Sequence, residues 1–393
     1  MPDTRFNADL VHVTWTENEQ ARSARWYAHN SSAPPKRIIT ADDTLSADAA
    51  YRLISQGTAL LWRGDFQNAR QLLQALTRRV DKRKKPVRGR DAIVSPIDTF
   101  NRHRLHQSQR SQLLNKLLIE LDSDAGIALR RAPNVRDACF AALGETPEPF
   151  LLPLRALQGI IGAYEWKKKG VSVPVLGRSI HVGYGVFSPN RGEYIDLVAR
   201  APLPTRDLAF DIGTGSGVLA AVLAHRGVRK VIATDQDPRA LACARENIAL
   251  LGMDDSISVE EVNLFPPGRS GLIVCNPPWL PAKPTIPIER AIYDPDNMML
   301  LGFLNGLSSH LTPSGEGWLI MSDLAEHLGL RSREFLLDAI STAGLRVVDR
   351  LDARPEHSKA ADTSDPLHAA RSAETTSLWR LALHLHSPCA ETH

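Results

Sequence analysis

The chain has 393 residues, of which 43% are hydrophobic and 23% charged, and a formal net charge of +3. This length makes two domains the natural expectation, and the balance excludes a disordered or fibrous chain. No apolar run approaches the ~18 residues of a membrane helix, and M-P-D-T-R-F-N-A-D has no apolar signal core, so a cytoplasmic protein without contact to membrane is expected.

The net charge hides an asymmetry. Residues 1–170 carry 27 Lys+Arg against 18 Asp+Glu, and the remainder 20 against 26. A basic N-terminal part would suit an anionic partner such as ribosomal or transfer RNA, although a solvated basic face gives the same count. Cys139, Cys243, Cys275 and Cys389 are scattered, with no C-x-x-C pair. Reduced thiols are expected, with no metal site.

Residues 1–40 show little pattern and are expected to be irregular, with a loop at Ser31–Pro35. From Ser46, the residues Ala50, Leu53, Ile54, Gly57, Leu60 and Leu61 recur at 3–4 spacing and predict a helix. Trp62-Arg63-Gly64-Asp65 breaks it, and Phe66 to Leu76 predicts a second. The pair has the look of one tetratricopeptide unit, but no second copy follows at a fixed period. Arg78 to Arg90 is the densest basic run, and reads either as a phosphate contact or as a solvated linker. Phe100 to Leu121 predicts a long basic helix, whose His103 and His106 have no metal-ligand partner at suitable spacing. Pro133–Leu143 and Leu154–Lys169 predict two more helices, completing an all-α domain over 41–170.

At Gly170 the composition changes. V-S-V-P-V-L and S-I-H-V-G-Y-G-V-F, with Gly177-Arg178 between them, predict a β-hairpin over 171–189. A helix starting in Pro189–Val198 leads into a final domain, 190–393.

That domain opens with Leu208 to Phe210, a buried strand closed by Asp211. Gly213, Gly215 and Gly217 follow at alternate positions, then the helix Val218–His225. A strand, a glycine turn and a helix N-terminus make a ligand cradle. The nicotinamide fingerprint G-x-G-x-x-G does not fit, because its third glycine falls one residue early and Val218 takes its place. A second strand, V-I-A-T-D, ends at Asp235, where an acid can bind both hydroxyls of a ribose. Asp237-Pro238 supplies an N-cap and a first-turn proline for a helix running to Leu251, with Gly252 as its C-cap. Ser256–Val262 is a third strand, followed by Asn263-Leu264-Phe265. Leu272–Cys275 is a fourth, stopped abruptly by Asn276-Pro277-Pro278-Trp279.

The D-x-G-x-G-x-G pattern from Asp211 resembles motif I of the class I S-adenosylmethionine (SAM) methyltransferases. The resemblance implies a Rossmann-like, doubly wound α/β fold with a seven-stranded sheet. It also implies SAM as cofactor, held by Asp211, Gly213, Gly215, Gly217, Asp235, Gln236, Asn263, Leu264 and Asn276. The family often has Asp at position 263, where it binds the adenine amine; Asn can accept the same bond through its carbonyl oxygen, or be a simple turn residue.

N-P-P-W is similar to the N-P-P-Y/F/W signature of amino-methyltransferases, which act on a nitrogen conjugated to a planar group. Such a nitrogen is a poor nucleophile. The resemblance implies that the Asn276 side-chain oxygen and the Pro277 carbonyl accept its two N–H bonds, and that Pro278 and Trp279 bind the planar substrate. Positioning and fixed dipoles then carry the catalysis, without a strong base. Gly185-Val186-Phe187-Ser188-Pro189 with Glu193, and the helix from Pro238, resemble the HemK/PrmC group of protein-glutamine N5-methyltransferases. Asn190 stands where that group usually has Arg, and Gly192 where it has Ser or Thr. Tyr293-Asp294-Pro295 echoes its Tyr-Glu-Pro segment.

Beyond the signature, Leu280–Pro287 reads as a substrate-side loop. Met298–Leu311 and Arg331–Ala343 read as helices, Gly317–Met321 as the fifth strand, and Leu345–Leu351 and Leu378–Leu385 as the last, antiparallel strands. The polar insert Arg354–Thr376, with His357, His368 and Arg371, is expected to be a solvated loop.

The expected activity is methyl transfer from SAM to the side-chain amide of a protein glutamine. The alternatives are N6-adenine methylation of RNA and a non-catalytic SAM-binding regulator. The intact N-P-P-W argues against a regulator, which has no use for the acceptor pair.

Overall fold

The computed structural model describes residues 11–27, 33–82, 95–284, 289, 291–355 and 362–384. The chain divides into two compact units. One comprises Met1–Ile93, Asn101–Glu165 and Thr285–Pro287, and the other Val94–Phe100, Trp166–Pro284 and Ile288–His393.

The N-terminal part is not all-α. It contains the strands β1 (His12–Glu17), β2 (Gln20–Trp26), β3 (Ile38–Ala41), β4 (Ala59–Trp62), β5 (Leu117–Leu121) and β6 (Phe150–Pro153) in one sheet, in the order β1-β2-β6-β5-β4-β3. The helices α1 (Ala47–Ser55), α2 (Phe66–Lys82), α3 (Pro96–Leu114), α4 (Arg136–Leu143) and α5 (Leu154–Lys169) alternate with them. The strands hide in the sequence for one physical reason. β4 and β6 are buried at every position, and a short continuous apolar run is indistinguishable by periodicity from buried helix. Leu60 and Leu61 therefore continued the helical phase of α1, although the chain turns at Gly57, with φ +92°, and re-emerges as a strand. The same error fused α3 with β5.

Residues 12–26, expected to be irregular, form a hairpin. It turns at Asn18 and Glu19, both with positive φ. Only Val13, Trp15, Ala24 and Trp26 of it are buried, a pattern diluted by the intervening Thr, Arg and His. Arg63, just after β4, ties β1 to β5 through Glu17 and Glu120. Most of the basic run, residues 83–90, lies outside the described residues.

The second unit begins with the short antiparallel hairpin β7 (Val171–Val173) and β8 (Arg178–Ile180), turned at Gly177. The second strand ends at Ile180, well before the expected Phe187. The helix α6 (Glu193–Arg200) follows. The main sheet comprises β9 (Leu208–Ile212), β10 (Lys230–Asp235), β11 (Ile257–Glu261), β12 (Ser270–Cys275), β13 (Leu311–Ser322), β14 (Leu345–Ala353) and β15 (Thr376–Leu383). Its helices are α7 (Val218–His225), α8 (Pro238–Leu251), α9 (Met298–His310), α10 (Leu324–His327), α11 (Arg333–Thr342) and α12 (His368–Ala373).

The strand order is β11-β10-β9-β12-β13-β15-β14, and only β15 runs against the others. This is the expected doubly wound, seven-stranded α/β sheet. Alternate residues sort onto its two faces. Ala209, Leu272, Val274, Trp318 and Ile320 join one apolar layer, and Phe210, Ile212, Ile273, Cys275, Leu319 and Met321 the other. The central strands β9 and β12 are thus buried on both faces, and a ligand meets them at their ends. The order reverses between β9 and β12, and an open α/β sheet binds its ligand at such a switch point. Among the described residues, no helix is long and apolar enough to cross a membrane.

Candidate functional site

The switch point carries Asp211 on β9 and Asn276 just beyond β12; Asp211 pairs with Val274 and Ile212 with Cys275, so Asn276 leaves its strand level with the start of the glycine turn. Asp211 is 1% exposed. Its Oδ2 accepts the Thr214 hydroxyl at 2.6 Å and the Ala220 N–H at 3.0 Å. Burial pushes this carboxyl up to about 6, against the pull of its two donors and with the help of nearby Asp235. Gly213 has φ +69°, and a Cβ there would stand 2.5 Å from Met299 Cε. Gly215 and Gly217 also have positive φ.

Asp235 ends β10 and faces this turn. Its Oδ2 accepts Gly215 N–H at 3.0 Å, and its Oδ1 accepts Gln236 N–H at 2.8 Å and Asp237 N–H at 3.0 Å. Burial again raises its pKa. Gln236 Nε2 donates to Asn263 Oδ1 at 2.7 Å, and Thr234 Oγ1 to the Leu264 carbonyl at 2.6 Å. The fold therefore gathers the residues singled out from Asp211 to Leu264 around the ends of three adjacent strands.

On the β12 side, the Trp279 indole N–H donates to Asn276 Oδ1 at 2.9 Å, an arrangement not expected from the motif. The Arg191 guanidinium carbon lies 4.7 Å from the Trp279 ring centroid, and Arg331 Nη2 reaches the Trp279 carbonyl at 3.3 Å. Leu280 bridges to Tyr293. The buried Asp294 carboxylate accepts the N–H groups of Met299 and Leu300 and so caps α9, the helix that brings Met299 against Gly213.

Sequence reasoning passed over Arg191, Arg331 and Glu374. Arg191 had a signal: it lies one residue after Asn190, the position at which the resembled group usually has Arg. The insert is also more than a solvated loop. Leu367 and Ala370 are buried in one cluster with Leu280, and Arg371 pairs with Asp365 at 2.8 Å. His357 and Cys389 lie outside the described residues; Cys139, Cys243 and Cys275 are buried free thiols. Among the described residues, no group of three or more His, Cys, Asp or Glu is arranged to hold a metal ion.

A family model described as "Ribosomal protein L11 methyltransferase (PrmA)" matches residues 198–277, which run from α6 to Pro277. The release factor glutamine methyltransferase of Cereibacter sphaeroides is 30% identical over 192 residues, 45% of this chain and 67% of that protein. The chain belongs to the release factor glutamine methyltransferase family. The member from Mycolicibacterium smegmatis is 33% identical over 130 residues, 32% of this chain, and the chain spans only 46% of that relative. The crystal structure of a ribosomal protein L11 methylase from Lactobacillus delbrueckii subsp. bulgaricus shares 20% identity at a TM-score of 0.35, covering 51% of this chain and 82% of that one.

The protein is thus a SAM-dependent methyltransferase, with SAM as its cofactor. The switch point suits that molecule, which combines a cationic methionine moiety with a ribose diol. Two buried carboxylates, Asp211 and Asp235, lie there, both with a pKa raised chiefly by burial. Gly213 leaves open backbone where a side chain would collide.

Proposed function

We propose that this methyltransferase transfers the methyl group of SAM to the side-chain amide nitrogen of a glutamine in a cytoplasmic protein substrate. The observation that carries this reading is the position of Asn276-Pro277 at the end of β12, beside the Asp211 glycine turn. The names of the relatives support it.

In this reading Asp211, Gly213, Gly215 and Gly217 hold the methionine moiety, Asp235 the ribose hydroxyls, and Gln236, Asn263 and Leu264 the adenine. Bound there, SAM supplies an electrophilic methyl on a sulfonium. Asn276, which also borders the cofactor, accepts one N–H of the acceptor nitrogen at Oδ1, and the Pro277 carbonyl accepts the other. Two acceptors on one amide nitrogen fix its rotation and aim its lone pair at the methyl. They also favour the pyramidal nitrogen over the conjugated one. Neither acceptor is basic, so the proton shed after transfer leaves to solvent. Pro278 and the Trp279–Arg191 stack bind the planar group.

The test is transfer of labelled methyl from SAM into a lysate of cells lacking this protein, split between ribonuclease and protease. Label that survives ribonuclease and is lost with protease supports the glutamine reading, and peptide mapping then locates the residue. Label lost with ribonuclease transfers the assignment to adenine in RNA. No label, with SAM binding intact, leaves a regulatory SAM binder.

A further inference from the structure

Trp279 is held more firmly than a stacking platform requires. The Arg191 guanidinium covers its ring, and the indole N–H is committed to Asn276 Oδ1. Arg191 is itself fixed by three partners. Its Nε donates to Glu193 at 2.6 Å, Nη1 to Glu374 Oε1 at 3.0 Å, and Nη2 to Thr376 Oγ1 at 3.4 Å. Glu374 is 1% exposed, and the same Oε1 accepts the Ser322 hydroxyl at 2.5 Å. Ser322 and Thr376 pair across β13 and β15. A continuous set of contacts thus runs from the sheet, through Glu374 and Arg191, to the Trp279 ring and Asn276.

We infer that Glu374 and Arg191 are positioning residues for the acceptor nitrogen, acting through Trp279 to fix the side-chain amide of Asn276. The inference rests on the acceptor role proposed for Asn276. An amide torsion is broad and two-fold, so an unrestrained Asn exchanges its oxygen for its NH2 group. At this site that exchange would present a donor to a substrate N–H. The indole N–H bonds only to the oxygen, and so selects one orientation. A carbonyl oxygen has two lone pairs, and the indole takes one and leaves one for the substrate. The indole can do this only if its plane is fixed, which a planar guanidinium over the ring does better than a flexible ammonium. Phe or Tyr at position 279 has no N–H at that point of the ring.

A buried ion pair invites a purely structural explanation, and the double variant separates the two. Arg191→Met leaves Glu374 buried without its partner, and Glu374→Gln removes the opposite charge. Arg191→Met/Glu374→Gln removes both members of that pair and returns the net charge to the wild-type value, with Glu193 keeping its charge at the less buried end. The readouts are the rate of label transfer into the protease-sensitive fraction at saturating SAM, SAM affinity by calorimetry, and the 15N–1H resonance of the Trp279 indole, assigned by its loss in Trp279→Phe.

The expected result is a rate lowered on the order of tenfold in both single variants and in the double variant, as for modest misplacement of a reacting group. SAM affinity stays unchanged, the indole resonance moves in each variant, and Arg191→Lys recovers less than half of the rate. An unmoved indole resonance overturns the inference, as does a double variant that recovers the full rate. Asn276→Ala keeps the two ideas apart. If Asn276→Ala retains transfer, the acceptor reading fails. If it loses transfer while Arg191→Met keeps the full rate, only the positioning role fails. The resonance needs no substrate, so it judges the geometry even where no label is transferred.

Discussion

The Asp211 carboxylate accepts the Ala220 N–H across the entire glycine turn, at 3.0 Å, and so caps α7 from the neighbouring strand. The helix needs this, because its own N-cap is Gly217, which has no side chain to offer. Asp211→Asn keeps an acceptor for Ala220 and Thr214 but removes a buried charge. Because the folded pKa lies above the unfolded value, the group's contribution is full below pH 3.8 and is lost as pH rises through about 6. That loss is about 3 kcal/mol at neutral pH. Asp211→Asn is therefore expected to melt higher than wild type at pH 7.5, yet to bind SAM more weakly. Calorimetry of both proteins checks this, and a lower melting temperature together with unchanged affinity would sink it.

The same carboxyl predicts a pH profile. A bound cation favours the ionised form, so SAM binding should expel a proton wherever Asp211 is still protonated in the free protein. Affinity should fall as pH drops below about 6, with proton release measurable in buffers of different ionisation enthalpy. Asp235, also raised by burial, adds to the trend. Asp211→Asn should flatten the curve without abolishing it.

Gly213 faces two separable obstacles to a side chain. Its φ of +69° disfavours any L-residue by about 1–2 kcal/mol, and an added Cβ would press on Met299 Cε. The methionine end is flexible and can withdraw. Gly213→Ala should therefore lose roughly that backbone cost in a denaturant titration, and adding Met299→Ala should restore little of it. SAM affinity should fall in both variants, since the strained Gly213 backbone is the part that borders the ligand.

How far the sequence could be read depended on which signal each segment carried. The second unit repeats long units in which a buried strand meets a glycine or proline stop and a capped helix follows. Asp237-Pro238 before α8 and Gly252 after it are local instructions that need no tertiary knowledge. In the first unit the decisive facts were non-local. Nothing in Leu60-Leu61 or Leu117-Leu118 says that these residues pair with each other as parallel strands. The contacts of Arg191 were illegible for the same reason, since Glu374 and Thr376 lie more than 180 residues away. Glycine spacing exposed the cofactor cradle, whereas the side chains bracing Trp279 became visible only once the strands were in place.

Asn247 tests the bracing of the glycine turn from behind. It is 1% exposed, accepts the His181 N–H at 2.7 Å, and donates to the carbonyls of His181 and Ser216 at 3.0 Å each. Asn247→Leu would leave the His181 N–H and the buried Ser216 carbonyl without this partner, while the His181 carbonyl keeps the Cys243 thiol at 3.4 Å. A loss of about 3 kcal/mol or more is expected from chemical denaturation. A smaller loss would mean that water reaches these groups. SAM affinity should fall as well, because Ser216 lies within the turn.

The insert supplies the last prediction. Leu367 is 5% exposed and packs from just before α12 into the cluster that holds Leu280, the residue after Trp279. Leu367→Ala removes that anchor and should cost about 2–5 kcal/mol of local packing. Because Glu374 lies at the end of the same helix, loosening α12 should also release the grip on Arg191. Hydrogen exchange is expected to rise over residues 367–375 and around Leu280. The transfer rate at saturating SAM should fall, with SAM affinity unchanged because the glycine turn is untouched. Faster exchange in the insert with a wild-type rate would show that α12 has no hold on the acceptor site. A drop in SAM affinity would instead mean that the packing of the insert extends across the sheet to β9.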